Sequence, residues 1–249
     1  MSGHSKWASI KHKKAATDAK RGKVFTKVIR ELSMAARDGG DTDSNARLRK
    51  AILDAKAVNM PADNIKRAIM KGTGQLEGST IEEIIYEGYG PGGVALYITA
   101  LSDNKNRTVS EVRHIFAKNG GRIGEQGCVA YRFKRQGYIA IEKSKATEEQ
   151  LMEIALTAGA EDVRDDLANW EIVTTPDAYE KVLEAVKAAG IEIADSNVGY
   201  IPQDYTRVEG KQAEQNLKLV EELEDHDDVQ TVAANFDIDE KEIERLSQE

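Results

Sequence analysis

Val94-Ala95-Leu96-Tyr97-Ile98-Thr99-Ala100-Leu101, and the segment Arg107–Asn119 that follows it, decide how this chain folds. The first is an apolar, partly β-branched run of eight residues. It is bounded by Gly90-Pro91-Gly92-Gly93 before and Ser102-Asp103-Asn104 after, so it reads as a buried strand. Val109, Val112, Ile115 and Phe116 then recur at three- and four-residue steps, which predicts a helix, and Cys128–Phe133 reads as another strand. The result is β-α-β, half of a ferredoxin-like unit.

Working outward toward the C-terminus, a complete unit comes next. Strand Tyr138–Ile141, helix Thr147–Ala158, strands near Asp162–Arg164 and Glu171–Thr174, helix Asp177–Ala189 and strand Ile191–Ala194 give β-α-β-β-α-β. The half missing from the first unit is expected beyond it, as strand Ile201–Val208, helix Gln212–Leu223 and strand Val229–Asn235. One ferredoxin-like domain is thus predicted to be inserted in another, because otherwise two sheets would keep open edges. The last residues, Asp239–Leu246, read as one more helix or a frayed end.

Working outward toward the N-terminus, Phe25, Val28, Ile29, Leu32 and Ala36 mark a helix that Gly39-Gly40 stops. A second helix is expected from about Ser44 to Val58, and a third from Pro61 to the glycines at 72 and 74. The predicted class is α+β multidomain: a three-helix domain with a basic arm over 1–80, an outer ferredoxin-like domain over 81–134 and 201–238, and an inserted one over 135–200.

Charge separates the same regions. The whole chain sums to −8, but residues 1–71 hold 17 Lys/Arg against 7 Asp/Glu, while residues 72–249 hold 18 against 36. One end attracts polyanions and the rest repels them. Nine Lys/Arg and one Asp fall in the first thirty residues. Lys6, Lys11, Lys13, Lys14, Lys20, Arg21, Lys23, Lys27 and Arg30, with His12, are the candidate phosphate contacts, since lysines neutralise phosphate as point charges and release its counterions. A solvated tail without a ligand is the alternative for the arm. Lys105, Arg107, Arg113 and His114 form a second basic cluster, from which Arg107 and Arg113 join the candidates; a solvated helix face, capped by Asp103 or Asn106, is its plainer reading.

Other chemistries find little support. Gly88, Gly90 and Gly93 spell G-x-G-x-x-G, but the string precedes a strand instead of joining a strand to a helix, so no nucleotide site is expected and a tight turn is. His4, His12, His114 and His226 lack metal-ligand spacing and Cys128 is the single cysteine, so no metal and no small-molecule cofactor are expected. Ser2-Gly3-His4 has the makings of a square-planar copper or nickel site if Met1 is removed, with nothing else in support. Asp165-Asp166 and Asp227-Asp228 read as solvated turn residues. An enzyme site would draw on Tyr86, Glu87, Arg107 and His114, and a protein scaffold on the acidic half; no nucleophile–base set is apparent. The lone cysteine and the absence of a signal-peptide pattern or a membrane-length apolar run predict a cytoplasmic protein without membrane partners.

Several unusual strings occur in one order: Gly3-His4-Ser5-Lys6-Trp7 with Ile10-Lys11-His12-Lys13-Lys14, Asp18-Ala19-Lys20-Arg21-Gly22-Lys23, Tyr86-Glu87-Gly88-Tyr89-Gly90-Pro91-Gly92-Gly93, Asp103-Asn104-Lys105-Asn106-Arg107-Thr108 with Glu111-Val112-Arg113-His114, and Gly127-Cys128-Val129-Ala130-Tyr131. Together they make the chain resemble the YebC-type (PmpR-type) family over its whole length. Lys105 replaces a more usual arginine, and Cys128 stands where serine is also common. The resemblance implies three domains and a role in gene expression, as a transcriptional regulator binding DNA. Mitochondrial relatives look like translational activators, and bacterial ones are linked to ribosomes working through proline-rich stretches, so ribosomal RNA is the alternative partner.

Overall fold

The computed structural model of the chain describes residues 18–77, 80–166, 169–239 and 242, with the side chains of 18–21 and 166 left aside. The N-terminal module packs α1 (Asp18–Ala35) against α2 (Ala46–Ala57) and α3 (Ala62–Gly72). Leu32, Ala36, Leu48, Ala55 and Ile65, periodic residues of the sequence, form its core together with Ala35, Ala51, Met60 and Ala68. Asn45 caps α2 by accepting from the Leu48 N–H at 2.9 Å. Its amide also donates to the carbonyls of Ala35 and Gly39, so one side chain ties the end of α1 to the start of α2.

The first sheet has order β3-β1-β2-β9, with all neighbours antiparallel. Its strands are β1 (Glu82–Tyr89), β2 (Ala95–Ser102), β3 (Arg122–Ile123) and β9 (Val229–Ala234). Helices α4 (Lys105–Lys118) and α7 (Gly210–Glu224) cover one face, burying Val112, Phe116, Leu217, Leu219, Val220 and Leu223 with Leu96 and Ile98. Each such side chain contributes about 1.5–3 kcal/mol by leaving water. The second sheet, β5-β6-β4-β7, is also antiparallel throughout. It comprises β4 (Phe133–Glu142), β5 (Asp162–Asp166), β6 (Asn169–Thr174) and β7 (Asp195–Pro202), with α5 (Glu148–Ala158) and α6 (Tyr179–Ala188) over it. Tyr97, Phe133 and Tyr200 meet where the two sheets approach, with the Tyr97 and Tyr200 rings 4.3 Å apart.

Two α/β units are present, and several expected elements need correction. The outer sheet takes its fourth strand from Glu82–Tyr89, upstream, and not from Ile201–Val208. Residues 201 and 202 finish β7 in the second sheet, and only β8 (Thr206–Arg207) follows, paired in parallel with β10 (Phe236–Asp237). Cys128–Phe133 is a loop and a 3-10 turn up to Arg132, not a strand, because its N–H groups are taken by a carboxylate. Residues 191–194 precede the strand instead of forming it. Asn104, and neither Asp103 nor Asn106, caps α4, accepting from the Arg107 N–H at 3.1 Å. The glycine string ends β1 and makes the β1–β2 hairpin turn, through a 3-10 turn at Pro91–Gly93.

Candidate nucleic-acid interface

Lys6, Lys11, His12, Lys13 and Lys14 lie outside the described residues, as do His4 and the Ser2-Gly3-His4 segment. Lys20 and Arg21 fall in the first turn of α1. From there the structure is specific. Lys23, Lys27 and Arg30 are spaced four and three apart, which puts them on one face of α1, and all three meet the segment between α7 and β9. Lys23 pairs with Asp225 at 3.4 Å, and Lys27 donates to the Glu224 carbonyl. Arg30 donates to the Asp227 carbonyl and pairs with the Asp228 carboxylate at 2.6 Å.

Asp228 is the centre of this contact, and the sequence reading of it as a solvated turn residue is corrected here. Its side chain keeps 2 % of its surface exposed. Arg107 reaches it at 3.0 Å while also pairing with Asp103 at 3.1 Å. Ser102 donates to it at 3.1 Å, and Thr108 donates as well. Burial alone would raise this carboxyl, but the hydrogen bonds from Thr108 and Arg107, the charge of Arg30 and the Ser102 hydroxyl hold it below the usual aspartate value. The capped start of α4 presents Arg107 and Thr108 on one side, and α1 brings Arg30 to the other.

Around this junction lies an open cleft of about 760 Å³, lined by Lys23, Arg30, Arg107, His114, His226 and the carboxylates 225, 227 and 228 among others. The His226 Nδ1 accepts from the Asp228 N–H at 3.0 Å, so the ring proton sits on Nε2 and donates to Glu111 at 2.9 Å. Glu111, His226 and Asp228 offer ligand atoms within 4.8 Å of one another. A cation there would have to displace the Nε2 proton and face Arg30 and Arg107, so the group reads as a hydrogen-bonded junction. Arg113 and His114 are exposed on α4.

Of the four residues that an enzyme site would draw on, Arg107 and His114 line this cleft, and Tyr86 and Glu87 do not. Glu87 is buried away from the cleft, where its carboxylate accepts the N–H groups of Gly127, Val129 and Ala130 at 2.7–2.8 Å. Tyr86 lies in the helix-covered core, its phenol raised by burial and by the charge of Asp228. Burial, and next Glu87, also push the Cys128 thiol up, which makes it a weak nucleophile.

The model of the TACO1/YebC second and third domain matches residues 81–236, and that of the TACO1/YebC N-terminal domain matches residues 5–75. This chain belongs to the TACO1/YebC family. Two relatives are named as probable transcriptional regulatory proteins: one from Solibacter usitatus, 58% identical over all of both chains, and one from Koribacter versatilis, 57% identical over 99% of this chain and 100% of that one. A crystal structure of a conserved hypothetical protein from Aquifex aeolicus superposes with a TM-score of 0.78 at 46% identity, covering 89% of this chain and 92% of that one. The fold above is therefore the TACO1/YebC fold. Among the described residues no helix is long and apolar enough to cross a membrane.

Two features of this TACO1/YebC chain were not reachable from the sequence. Glu87 and Asp228 are buried hubs whose partners lie 40 to 198 residues away, and no local pattern marks them.

Proposed function

We propose that this protein is a cytoplasmic regulator of gene expression that binds nucleic acid through its N-terminal module, with DNA as the target and transcription as the process. The observation that carries the reading is the charge separation: 17 Lys/Arg against 7 Asp/Glu in residues 1–71, on a chain whose remainder is strongly acidic. Such a module concentrates at a phosphate backbone while the remainder is repelled from it. The names of the relatives support the regulatory role. The proposed contacts are Lys6, Lys11, Lys13, Lys14, Lys20, Arg21 and Lys23, with His12 assisting and Arg113, exposed on α4, as a further one. Lys23, Lys27, Arg30 and Arg107 are engaged with the 224–228 segment and reach phosphate only by competing with it.

A second reading, ribosomal RNA and a role in translation, is favoured by the docking of α1. Its basic inner face rests on an acidic segment, which removes those side chains from base reading in a major groove. Both readings describe a binder without catalysis, since Glu87, Tyr86 and His114 do not converge on one point.

With about 4–6 phosphates engaged, log affinity for duplex falls against log salt with a slope of roughly −4 to −5. Replacing Lys11, Lys13 and Lys14 by Ala flattens the slope by up to about 3. An unchanged slope in the triple variant rejects the arm mechanism. Crosslinking in growing cells and sequencing the attached nucleic acid separates the partners: promoter fragments support transcription, ribosomal RNA supports translation.

A further inference from the structure

We propose that the outer α/β unit carries a second contact, a platform at Tyr131 on which an unpaired base of a single-stranded nucleic acid stacks, with Arg122 beside it for the adjoining phosphate. It rests on the nucleic-acid reading above and deepens it by naming the strand state and the residues.

Tyr131 is 77% exposed, the most exposed large apolar side chain among the described residues. The loop that carries it is pinned from beneath. Glu87 holds three of its N–H groups, and the Tyr89 hydroxyl donates to the Cys128 carbonyl at 2.9 Å. An exposed ring on a fixed loop gives up little conformational freedom when something stacks on it.

Its neighbours are suited to a nucleotide. The Arg122 guanidinium lies 5.7 Å from the Tyr89 ring centroid, and the hydroxyl of that same ring is bonded to the loop that carries Tyr131, so Tyr89 connects the two. Asp204 occupies Arg132 at 2.9 Å, whereas among the described residues Arg122 has no carboxylate partner. Beside Tyr89 and Arg122 opens a shallow cleft of about 470 Å³ walled by two glycine loops, at 90–93 and 120–121, where backbone is bare.

Charge decides between a nucleic acid and a protein. Residues 105–135 hold 8 Lys/Arg against 2 Asp/Glu, while the rest of 72–249 holds 10 against 34. Arg107, Lys118, Arg132 and Lys134 of that segment pair with carboxylates, which leaves Arg122 as the guanidinium beside Tyr89. A protein-docking surface is apolar at its centre; here one exposed ring neighbours a guanidinium. That combination, an aromatic face with guanidinium beside it, is how unpaired strands are held. A duplex keeps its base faces inside the stack and has nothing to place on the ring.

The test is fluorescence anisotropy of the full chain with labelled single-stranded DNA, single-stranded RNA and duplex DNA of one sequence. Tyr131→Ala should weaken both single strands about 5- to 100-fold, the range for one stacked base, and leave the duplex unchanged. Tyr131→Phe should restore binding, and Arg122→Ala should reduce the single-strand salt slope by about 1. The ring packs little, so thermal unfolding should not move. Single-strand affinity that survives Tyr131→Ala overturns the platform, as does an equal loss on duplex. Retained affinity with altered sedimentation overturns it too, assigning the patch to a second copy of the chain. If the unmodified protein binds none of the oligonucleotides, the parent reading fails; if it binds and Tyr131→Ala is silent, only the platform fails.

Discussion

Glu87 and Asp228 are carboxylates with almost no exposure, yet they serve different partners. Glu87 gathers backbone N–H groups from a loop, while Asp228 gathers two arginines and two hydroxyls from three helices and strands. Neither role was legible in the sequence. Asp227-Asp228 looked like any acidic turn, because the cations that neutralise Asp228 come from positions 30 and 107. Glu87 sat in a glycine-rich string whose local pattern suggested only a turn. Glu87→Gln is a strict test of the first hub, since it keeps the size but replaces one acceptor oxygen with a donor. At least one N–H of Gly127, Val129 or Ala130 then faces another donor, and a buried unsatisfied group costs about 1–3 kcal/mol. The expected outcome is a drop in chemical-denaturation stability of that order, with faster protease cleavage between residues 124 and 130. Unaltered stability would show that water replaces the lost acceptor.

Among the elements, the helices were the most legible. Their apolar residues repeat at helical steps, and tertiary packing used those same residues: Leu32, Leu48 and Ile65 in the module, Val112 and Phe116 under the outer sheet. β1 was the least legible. Glu82-Glu83 begins it and Glu87-Gly88 interrupts it, so neither alternation nor an apolar run announces a strand. Its glycine is there for space. A Cβ at Gly88 would lie 2.6 Å from the Arg122 carbonyl oxygen and 2.8 Å from the Phe116 ring, both fixed by the packing of β3 and α4. Gly88→Ala therefore overpacks the outer core, at about 1–3 kcal/mol. Differential scanning calorimetry should record a lowered midpoint. Because Phe116 moves with α4, the loss should be accompanied by weaker amide-exchange protection in α4 and β3, and not in the second sheet.

Across the whole molecule, chain from both sides of the second sheet meets in the first, where β9 pairs with β2. We propose domain limits that follow the strands: 1–80, 81–132 with 203–238, and 133–202. The module joins the outer unit through a junction whose central charge pair is nearly dry: Arg30, 16% exposed, against Asp228. That makes the joint sensitive to acid, and the sign follows from linkage. Arg30 is among the groups that lower the Asp228 carboxyl, so undocking α1 lets that carboxyl rise. A group more acidic in the docked state favours docking while ionised. The contribution is complete above the undocked value and is lost as pH falls through the docked value, which lies below the ordinary aspartate range. Small-angle scattering on acidification from about pH 7 should therefore show the radius of gyration constant through the neutral range and rising only at acid pH, as the module swings free. Asp228→Asn should remove the pH step and show the expanded form already at pH 7, because Arg30 and Arg107 would be left facing an amide; breaking one partner of a buried pair costs about 3–5 kcal/mol. Arg30→Ala should expand the protein without the full loss of stability, since Asp228 keeps Arg107, Ser102 and Thr108. A compact Asp228→Asn protein at neutral pH would mean that Lys23, Lys27 and the apolar contacts of α1 hold the module without the central pair.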